Sequence, residues 1–452
     1  MLISNPTHTQ PPKKSKQMNT SFLFNRWLNW AFIPLFFSCW LTTDVTAQTI
    51  PLDSTHLKLE EAEQIFLKNN LQLLAQQYNV DAASALIIQA RLFPNPNFSV
   101  SQGFYNGENH KLFNFGNSAS ETQAALSQLI MLAGKRNKQI KLAKAGAQLA
   151  KYQLFDLIRT LKYTLRTNFF NIYYLQRSVR VYAMEIASLK VVVDAFEQQK
   201  GKGYISEKEV VRVKALLYSL QSEHHDLVDQ INDLESELKL ILQVKNTVYI
   251  VPDIDQYQIN NLSPAKYPLA TLIDSAYHAR TDLLIAKTTT EINKLNYSYQ
   301  KALAVPDLTL QAAYDRQGSY VHNFNSLGVA FDLPVFNRNQ GNIKSAKASI
   351  KAADATQKSV EADIEGTVYR ALQKALDADK LYKGIDPAFE SDFERLQHEV
   401  LINYQKRNIG LLDFLDFYDS YKQNVLQTNN IFFNRVSAFE DINFYTGAEF
   451  FY

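Results

Sequence analysis

The stretch from Asp332 to Ile343 reads D-L-P-V-F-N-R-N-Q-G-N-I and decides the fold of this chain. It ends a segment of alternating apolar and polar residues, passes through a turn rich in Asn and Gly, and opens a long segment almost free of proline. A weaker copy spans Gln128 to Ile140, and it continues with Lys141-Leu-Ala-Lys-Ala145 where the first stretch continues with Lys344-Ser-Ala-Lys-Ala348. The chain therefore contains an internal repeat, and the repeated unit restricts the possible architectures.

The positions of the prolines predict very long helices. None of the 13 prolines lies between Asn97 and Val251, and a proline inside a helix costs about 3 kcal/mol. Apolar residues of the two returning helices recur three and four positions apart, which is typical of coiled coils. Helices are predicted over 59–93, 138–199, 210–241, 269–304, 342–406 and 411–445, with a linker over 248–268.

Four short segments alternate apolar and polar residues, as strands with one apolar and one polar face do. Lipid on the apolar face and water on the other would fit a transmembrane barrel, although an ordinary half-buried sheet shows the same alternation. Unpaired backbone groups cost several kcal/mol each in hydrocarbon, and four strands cannot enclose a channel. A barrel would therefore require several chains to pool strands. The segments are 97–105, 122–130, 308–315 and 326–333.

Residues 1–47 are predicted to be an export signal. They contain a basic region up to Arg26, an apolar stretch from Trp27 to Leu41, and small residues before Gln48. Met18 is an alternative start, and Cys39, the only cysteine, leaves a lipoprotein open as an alternative. Without this segment the chain has 43 basic and 44 acidic residues, so it gives no reason to expect nucleic acid. The mature chain divides into repeats over 48–255 and 256–452.

No motif of catalysis or of a cofactor site is found in the sequence. It has no G-x-S-x-G, no phosphate-binding glycine loop, no H-E-x-x-H and no C-x-x-C. His224 and His225 resemble metal ligands, but adjacent residues of one helix point about 100° apart, so an interruption of the coiled-coil seam is the alternative. Asp413 and Asp416 follow the second turn, either as solvated carboxylates or as groups that attract cations. We expect no enzyme activity, no cofactor and no metal site.

These residues and their order resemble the TolC-type outer-membrane efflux channels, most closely the cation-efflux branch that includes CusC and CzcC. The resemblance covers the mature chain, and its most specific part is L-P-V-F-N-R-N-Q-G-N-I from Leu333 to Ile343. Two turns between long helices also resemble the G-x-x-S/G-L turns of the family, although Arg407 stands where the second turn more often has Gly. These turns contain Gly203, Tyr204, Ile205 and Ser206, and Ile409, Gly410 and Leu411.

The resemblance implies a mainly α fold with a small β part. Long antiparallel coiled-coil helices would form a periplasmic α-barrel, and four strands per chain would contribute to a shared transmembrane β-barrel in a homotrimer. The protein would lie in the outer membrane of a Gram-negative bacterium, in contact with lipid. Its two turns would meet a periplasmic adaptor, also called a membrane fusion protein, and an inner-membrane pump of the RND type would drive transport.

Three functions remain open at this point. The first is a passive conduit of a tripartite efflux system, with heavy-metal cations as a candidate cargo. The second is a channel of the same fold for drugs or for type I protein secretion. The third, from another class, is a periplasmic coiled-coil adaptor or scaffold, although an adaptor normally has one helical hairpin and this chain has two.

Overall fold

The computed structural model describes residues 53–107, 110–113, 122–317, 321–386 and 388–452. The segment 1–47, with Met18 and Cys39, lies outside the described residues, and so does Pro387. Eight strands are present in the described part: β1 (Asp53–Lys58), β2 (Asn97–Gln102), β3 (Tyr105–Asn106), β4 (Lys111–Leu112), β5 (Thr122–Ile130), β6 (Val248–Asp253), β7 (Leu308–Asp315) and β8 (Phe324–Ala330).

Ten α-helices account for most of the described chain, and α3 alone would be roughly 100 Å long at 1.5 Å per residue. They are α1 (Leu59–Asn69), α2 (Leu71–Arg91), α3 (Lys135–Gly201), α4 (Glu207–Leu242), α5 (Gln256–Asn260), α6 (Leu269–Ala279), α7 (Thr281–Leu303), α8 (Gln340–Lys383), α9 (Phe389–Gln405) and α10 (Leu411–Thr446). A 3₁₀ turn covers Pro264–Lys266.

The four predicted strands form one antiparallel sheet in the order β2-β5-β7-β8. Its register aligns Phe98, Leu126, Ala312 and Leu327 in one row, and this face is apolar over most of its length. The neighbouring rows belong to the opposite face and carry Ser, Thr, Asn, Gln and small residues. Because residues directly opposite in an antiparallel sheet share a face, alternation along each strand becomes one apolar and one polar face for the whole sheet.

The helices that adjoin the sheet repeat its order. Helices α2, α3, α7 and α8 pack side by side in that sequence and form a wall that continues the sheet. Farther from the sheet, α3 packs with α4, and α10 packs with α3, α8 and α9. Three buried apolar clusters hold these contacts together: one around α1, α3 and β6, one around the lower parts of α3, α4 and α10, and one around α6, α8 and α10.

Both long helices of the wall begin with a left-handed residue. Gly134 precedes α3 with φ +67°, and Asn339 precedes α8 with φ +58°. Glycine and asparagine are the residues that accept this conformation most readily. The side chain of Asn339 also donates to the carbonyl of Gln300 at 2.8 Å, which ties the start of α8 to the end of α7. The repeated turn in the sequence therefore marks the start of each long helix.

Several predicted boundaries were wrong. Residues 248–268 are no simple linker, because β6 pairs in parallel with β1 across the first half of the chain. The predicted helices over 59–93 and 269–304 are each split, at Asn70 and at Arg280, where the backbone is extended. The predicted helix over 342–406 is interrupted between Lys383 and Phe389. Strand β8 ends at Ala330, so Phe331 and Leu333 lie beyond the sheet.

Within the described ranges, no helix combines the length and the apolar character needed to cross a membrane.

Candidate functional site

The first of the two predicted turns connects α3 to α4. Gly203 has φ +77°, a left-handed conformation that costs glycine little. Its amide donates to the carbonyl of Lys200 at 2.9 Å, and the amide of Tyr204 donates to the carbonyl of Gln199 at 3.0 Å. These bonds satisfy the last carbonyls of α3 in the usual manner of a helix that ends at a left-handed residue. The turn is therefore fixed by its own backbone.

The second turn connects α9 to α10 and has the same kind of closure. Here the left-handed residue is Arg407, with φ +64°. Its amide donates to the carbonyl of Tyr404 at 3.0 Å, and the amide of Asn408 donates to the carbonyl of Asn403 at 2.9 Å. A residue with a Cβ atom is disfavoured in this conformation, so Arg407 must be retained by what its side chain contacts.

The Arg407 side chain reaches across to the first turn. Its Nη2 atom donates to the side-chain oxygen of Gln199 at 2.9 Å and to the backbone carbonyl of Tyr204 at 3.0 Å. The structure thus brings the two predicted turns together at one end of the molecule. We name the seven predicted residues together with Arg407 the tip pair. From the sequence, Arg407 was noted only because it stands where the family turn more often has Gly, and its contacts with the first turn were not predicted.

The two helices that leave the tip pair begin differently. Helix α4 starts with a capping box, because Ser206 Oγ accepts from the amide of Glu209 at 3.3 Å while the Glu209 carboxylate accepts from the amide of Ser206 at 3.1 Å. Helix α10 starts at Gly410 without a side-chain cap. A Cβ atom on Gly410 would lie 3.3 Å from the Asp413 carboxylate, so little space is free there.

Apolar residues of the tip pair anchor it to the helices behind. Ile205, Ile409 and Leu411 pack against the buried cluster of α3, α4 and α10. Within that cluster the rings of Tyr404 and Phe414 stack with their centroids 4.0 Å apart. These three predicted residues therefore contribute mainly to packing, whereas other side chains form the outer surface.

Two large side chains project outward at the tip pair. Tyr204 is 68% exposed and Leu412 is 72% exposed. Leu412 was missed by the sequence reasoning, because an apolar residue in the first turn of a coiled-coil helix resembles a seam position. Exposed aromatic and aliphatic side chains beside a rigid turn are well suited to contact a partner.

A buried carboxyl group lies in α3 between the tip pair and the middle of the molecule. Glu185 is 6% exposed, it forms a hydrogen bond with Tyr418 of α10, and one of its oxygens has no partner within the described residues. Gln397 of α9 donates to the Tyr418 hydroxyl at 3.3 Å. Burial raises the pKa of Glu185 to about 7. The contact between the α3–α4 hairpin and the α9–α10 hairpin therefore contains a carboxyl group that titrates near neutrality.

The other candidate ligands lie apart from one another. His225 Nε2 is 3.5 Å from Asp229 of its own helix, and both side chains are exposed. Asp413 and Asp416 are exposed at the start of α10. Across the part of the chain that the structure describes, no three His, Cys, Asp or Glu side chains come together in a way that could hold a metal ion.

Comparison with known proteins identifies the same architecture. Residues 63–242 match the outer membrane efflux protein family. The cobalt-zinc-cadmium resistance protein CzcC of Cupriavidus metallidurans is 24% identical over 304 residues, which are 67% of this chain and 68% of that protein.

Solved structures show how far the fold extends. The CmeC outer membrane channel of Campylobacter jejuni superposes with a TM-score of 0.71 at 17% identity, and the alignment covers 87% of this chain and 86% of that channel. CusC superposes with a TM-score of 0.68 at 13% identity, covering 86% and 92% of the two chains. The predicted fold class, long coiled-coil helices with a small β part, is confirmed. Residues 63–242 are therefore similar to the outer membrane efflux protein family, and the chain has the fold of these outer-membrane channels.

Proposed function

We propose that the chain assembles as a homotrimer and acts as a passive conduit for heavy-metal cations from the periplasm to the exterior. Twelve strands from three copies would close a transmembrane β-barrel, and the helical walls would continue it as a periplasmic tunnel. A periplasmic adaptor and an inner-membrane pump of the RND type would supply the cargo and the energy. The channel itself would catalyse no reaction and bind no cofactor.

The sheet carries this proposal. Its apolar face is uncovered in the single chain, where Leu327 is 91% exposed and Phe98 and Val329 are also exposed. Among the described residues, its outer strands, β2 and β8, each pair with a single neighbour. An apolar face needs lipid or protein to cover it, and open edges in lipid leave backbone groups unpaired. Lipid would cover the apolar face, and strand pairing between copies would satisfy the open edges.

The helical wall supports the same assembly. Leu67, Leu71, Leu74 and Tyr78 of α1 and α2 are spaced four, three and four residues apart and are all exposed. This is the spacing of a coiled-coil seam, yet no helix in the described part of the chain covers it. Helix α2 forms one edge of the wall, and β2 forms the corresponding edge of the sheet. A neighbouring copy would therefore cover α2 and β2 together.

Two observations favour cations as cargo. The relative CzcC is named for resistance to cobalt, zinc and cadmium. The polar face of the sheet, which would line the pore, has Asp315 as the only charged residue within its strands. Carboxylate rings favour cations in channels, and three copies would place three such groups at one level.

The tip pair is proposed as the adaptor contact. Tyr204 and Leu412 offer an exposed apolar surface, and Arg407 fixes the turns that present it. Replacing Tyr204 or Leu412 with Asp should abolish efflux while leaving the trimer in the membrane, because neither of these exposed side chains supports the fold. Bulky charged replacements of Gly203 or Gly410 should also abolish efflux, but these glycines also hold the turns.

Planar lipid bilayers test the proposal directly. Detergent-extracted protein should migrate as a trimer and produce a steady conductance that favours K⁺ over Cl⁻. The D315N variant should retain the conductance and lose part of the cation preference. A protein that leaves the cell as a soluble monomer after osmotic release would contradict the channel and favour a periplasmic adaptor.

A further inference from the structure

Charge is strongly segregated along the chain, although the whole is almost neutral. The parts of α3, α7 and α8 nearest the sheet, with the residues just before α3 and α8, cover residues 131–155, 287–303 and 337–360. They contain 14 basic and two acidic residues. The turn after α7 adds Asp307, which pairs with Lys135 at 2.6 Å. The fourth helix at this level, α2, adds Arg91 and Asp81 and stays neutral. Three copies would surround the tunnel below the sheet with a dense belt of positive charge.

Ten lysines of this belt are exposed, and we name them the lysine collar. Within the described residues only Lys294 has an ion pair, with Asp354 at 3.8 Å. The other nine form no ion pair with the described residues, although Lys301 lies 4.9 Å from the centre of the Tyr297 ring. The collar consists of Lys141, Lys144, Lys151, Lys287, Lys294, Lys301, Lys344, Lys347, Lys351 and Lys358.

The collar lies on one side of the helical wall. The pair between Lys294 of α7 and Asp354 of α8 places those two helix faces on the same side. Lys347 is seven residues before Asp354, and residues seven apart in packed helices share a face. Lys144 and Lys347 occupy equivalent positions in the two copies of the repeated turn. Equivalent positions of a repeated wall face the same way.

That side is the outer side. Steps of seven residues from Lys144 and Lys151 reach Leu165 and Ile172, which are buried in the cluster with α1 and β6. On α8, steps of seven from Lys347 reach Val368, which is buried in the cluster with α6. The faces of α3 and α8 that carry the lysine collar near the sheet are therefore, farther from the sheet, the faces covered by α1 and β6 and by α6. Such a layer would obstruct a tunnel, so the tunnel must lie on the opposite side.

The collar extends too far from the sheet to serve lipid headgroups alone. At 1.5 Å per residue, Lys144 lies about 14 Å and Lys358 about 27 Å along their helices from the end nearest the sheet. The headgroup layer is about 5 to 8 Å thick, and salt screens charges beyond about 8 Å. Most of the collar would therefore lie in the aqueous periplasm, where the partner must be an extended anion.

We propose that the lysine collar binds the carboxylate-bearing, peptide-crosslinked glycan of the cell wall, which a channel that crosses the periplasm must penetrate. Stripes of lysines about 10 Å apart match a polymer with repeated carboxylates better than a small anion, which needs an enclosed pocket. Many weak contacts would hold the channel in the mesh by avidity. This inference rests on the proposed function, because it requires the sheet to lie in the outer membrane.

Co-sedimentation with purified peptidoglycan sacculi tests the collar. The wild-type trimer in detergent should pellet with sacculi at low salt and be released at high salt. The variant K344Q/K347Q/K351Q/K358Q should lose about fivefold or more of the pelleted fraction. The matched control K190Q/K202Q/K245Q/K266Q removes four exposed lysines outside the collar and should pellet as the wild type does. Sacculi with amidated carboxylates should fail to retain the wild type.

Equal pelleting of the wild type and the collar variant would overturn the proposal, and so would an equal loss in the control. Vesicles containing phosphatidylglycerol form a second arm. Loss of vesicle binding with unchanged sacculus binding would assign the collar to lipid and also overturn it. Bilayer conductance of the same preparations separates the two proposals. A conducting wild type that ignores sacculi contradicts the collar alone, whereas a non-conducting wild type contradicts the channel.

Discussion

Arg407 combines an unfavourable backbone conformation with a favourable set of contacts. Its left-handed φ of +64° suits glycine, but glycine could not donate to Gln199 and Tyr204 in the neighbouring turn. The gain from two hydrogen bonds with a charged donor is about 1.5 to 3 kcal/mol each when buried, and less at an exposed tip. The residue therefore couples the two turns at a modest net cost in stability.

The R407G variant should uncouple the turns without unfolding the helices, because glycine relieves the backbone strain while the two hydrogen bonds are lost. Amide hydrogen exchange of residues 202–206 should become faster by about tenfold, whereas α3 above Glu185 should be unchanged. The R395A variant, which removes an exposed arginine of α9, is the control. Unchanged exchange in the first turn would mean that Arg407 does not hold it.

Glu185 makes the contact between the hairpins sensitive to pH. Because burial raises its pKa from 4.5 to about 7, the packed state binds a proton that the unfolded state has released. Stability from this group is therefore complete below about pH 4.5, falls as the pH rises to about 7, and stays low above it. The loss is on the order of 2 to 3 kcal/mol.

The E185Q variant should abolish this dependence, since the amide stays neutral and keeps a hydrogen bond for Tyr418. Its apparent melting temperature should exceed that of the wild type by a few degrees at pH 8 and match it at pH 4.5. Intrinsic fluorescence during heating at both pH values measures the difference. The E399Q variant, at an exposed position of α9, should show no gain. An equal gain at both pH values would exclude titration as the cause.

At the scale of elements, one buried cation joins three parts of the chain. Arg435 of α10 is 1% exposed, and its guanidinium donates to Asp379 of α8 at 2.8 Å and to the carbonyls of Ile259 and Leu262 at 3.1 and 2.7 Å. It interrupts the apolar seam of α10, as its position in the sequence indicates. Through these bonds, Arg435 holds the segment between β6 and α6 against α8 and α10.

The R435M variant should therefore be destabilised by about 2 to 4 kcal/mol, because two buried carbonyls lose their donor and Asp379 keeps only Lys383, at 2.7 Å, as a cationic partner among the described residues. Thermal unfolding of the purified protein measures the loss. In the double variant R435M/D379L part of the stability should return, since the buried carboxylate that lost its guanidinium partner is also removed. The exposed R395M variant should stay within about 0.5 kcal/mol of the wild type. A stable R435M protein would show that the segment is held by packing alone.

Local patterns predicted some elements well and failed at others for identifiable reasons. Strand β5 has the predicted bounds, Thr122–Ile130, because alternation is visible within the segment itself. The break at Asn70 was missed because the sequence there has neither proline nor glycine, whereas the structure shows Asn70 capping α2 and donating to the carbonyl of Ile241. Strand β6 depends on a parallel partner far away in sequence, which periodicity cannot reveal.

The sequence predicted which residues form the two turns, but not which of them pack inward or how the turns contact each other. The seven turn residues lie at one end of the molecule, as the order of helices requires. That Ile205, Ile409 and Leu411 pack inward follows only from the packing of four helices, and the bond from Arg407 to Tyr204 joins residues 203 positions apart. Long-range contacts of this kind leave no periodic signal in the sequence.

At the scale of the whole molecule, the sheet and the wall have matching edges. Strand β2 and helix α2 end one side, and β8 and α8 end the other. The pairing of β1 with β6 joins the ends of the segment 48–255, which supports our proposal that it forms one repeat and 256–452 the second. A chain with two such halves has one pair of complementary edges, so copies can join into a closed ring.

Crosslinking between the outer strands tests this closure. Ser99 of β2 and Ser326 of β8 lie on the polar face at opposite edges of the sheet, so the S99C/S326C variant carries one thiol at each edge. A short bismaleimide applied to intact outer membranes should link each copy to both neighbours and convert most of the protein to a covalent trimer. The single variants S99C and S326C lack the complementary thiol and should stay monomeric in denaturing gels. A closed ring of three copies would give no product larger than a trimer, whereas an open assembly would give a ladder of larger products and would contradict the trimer.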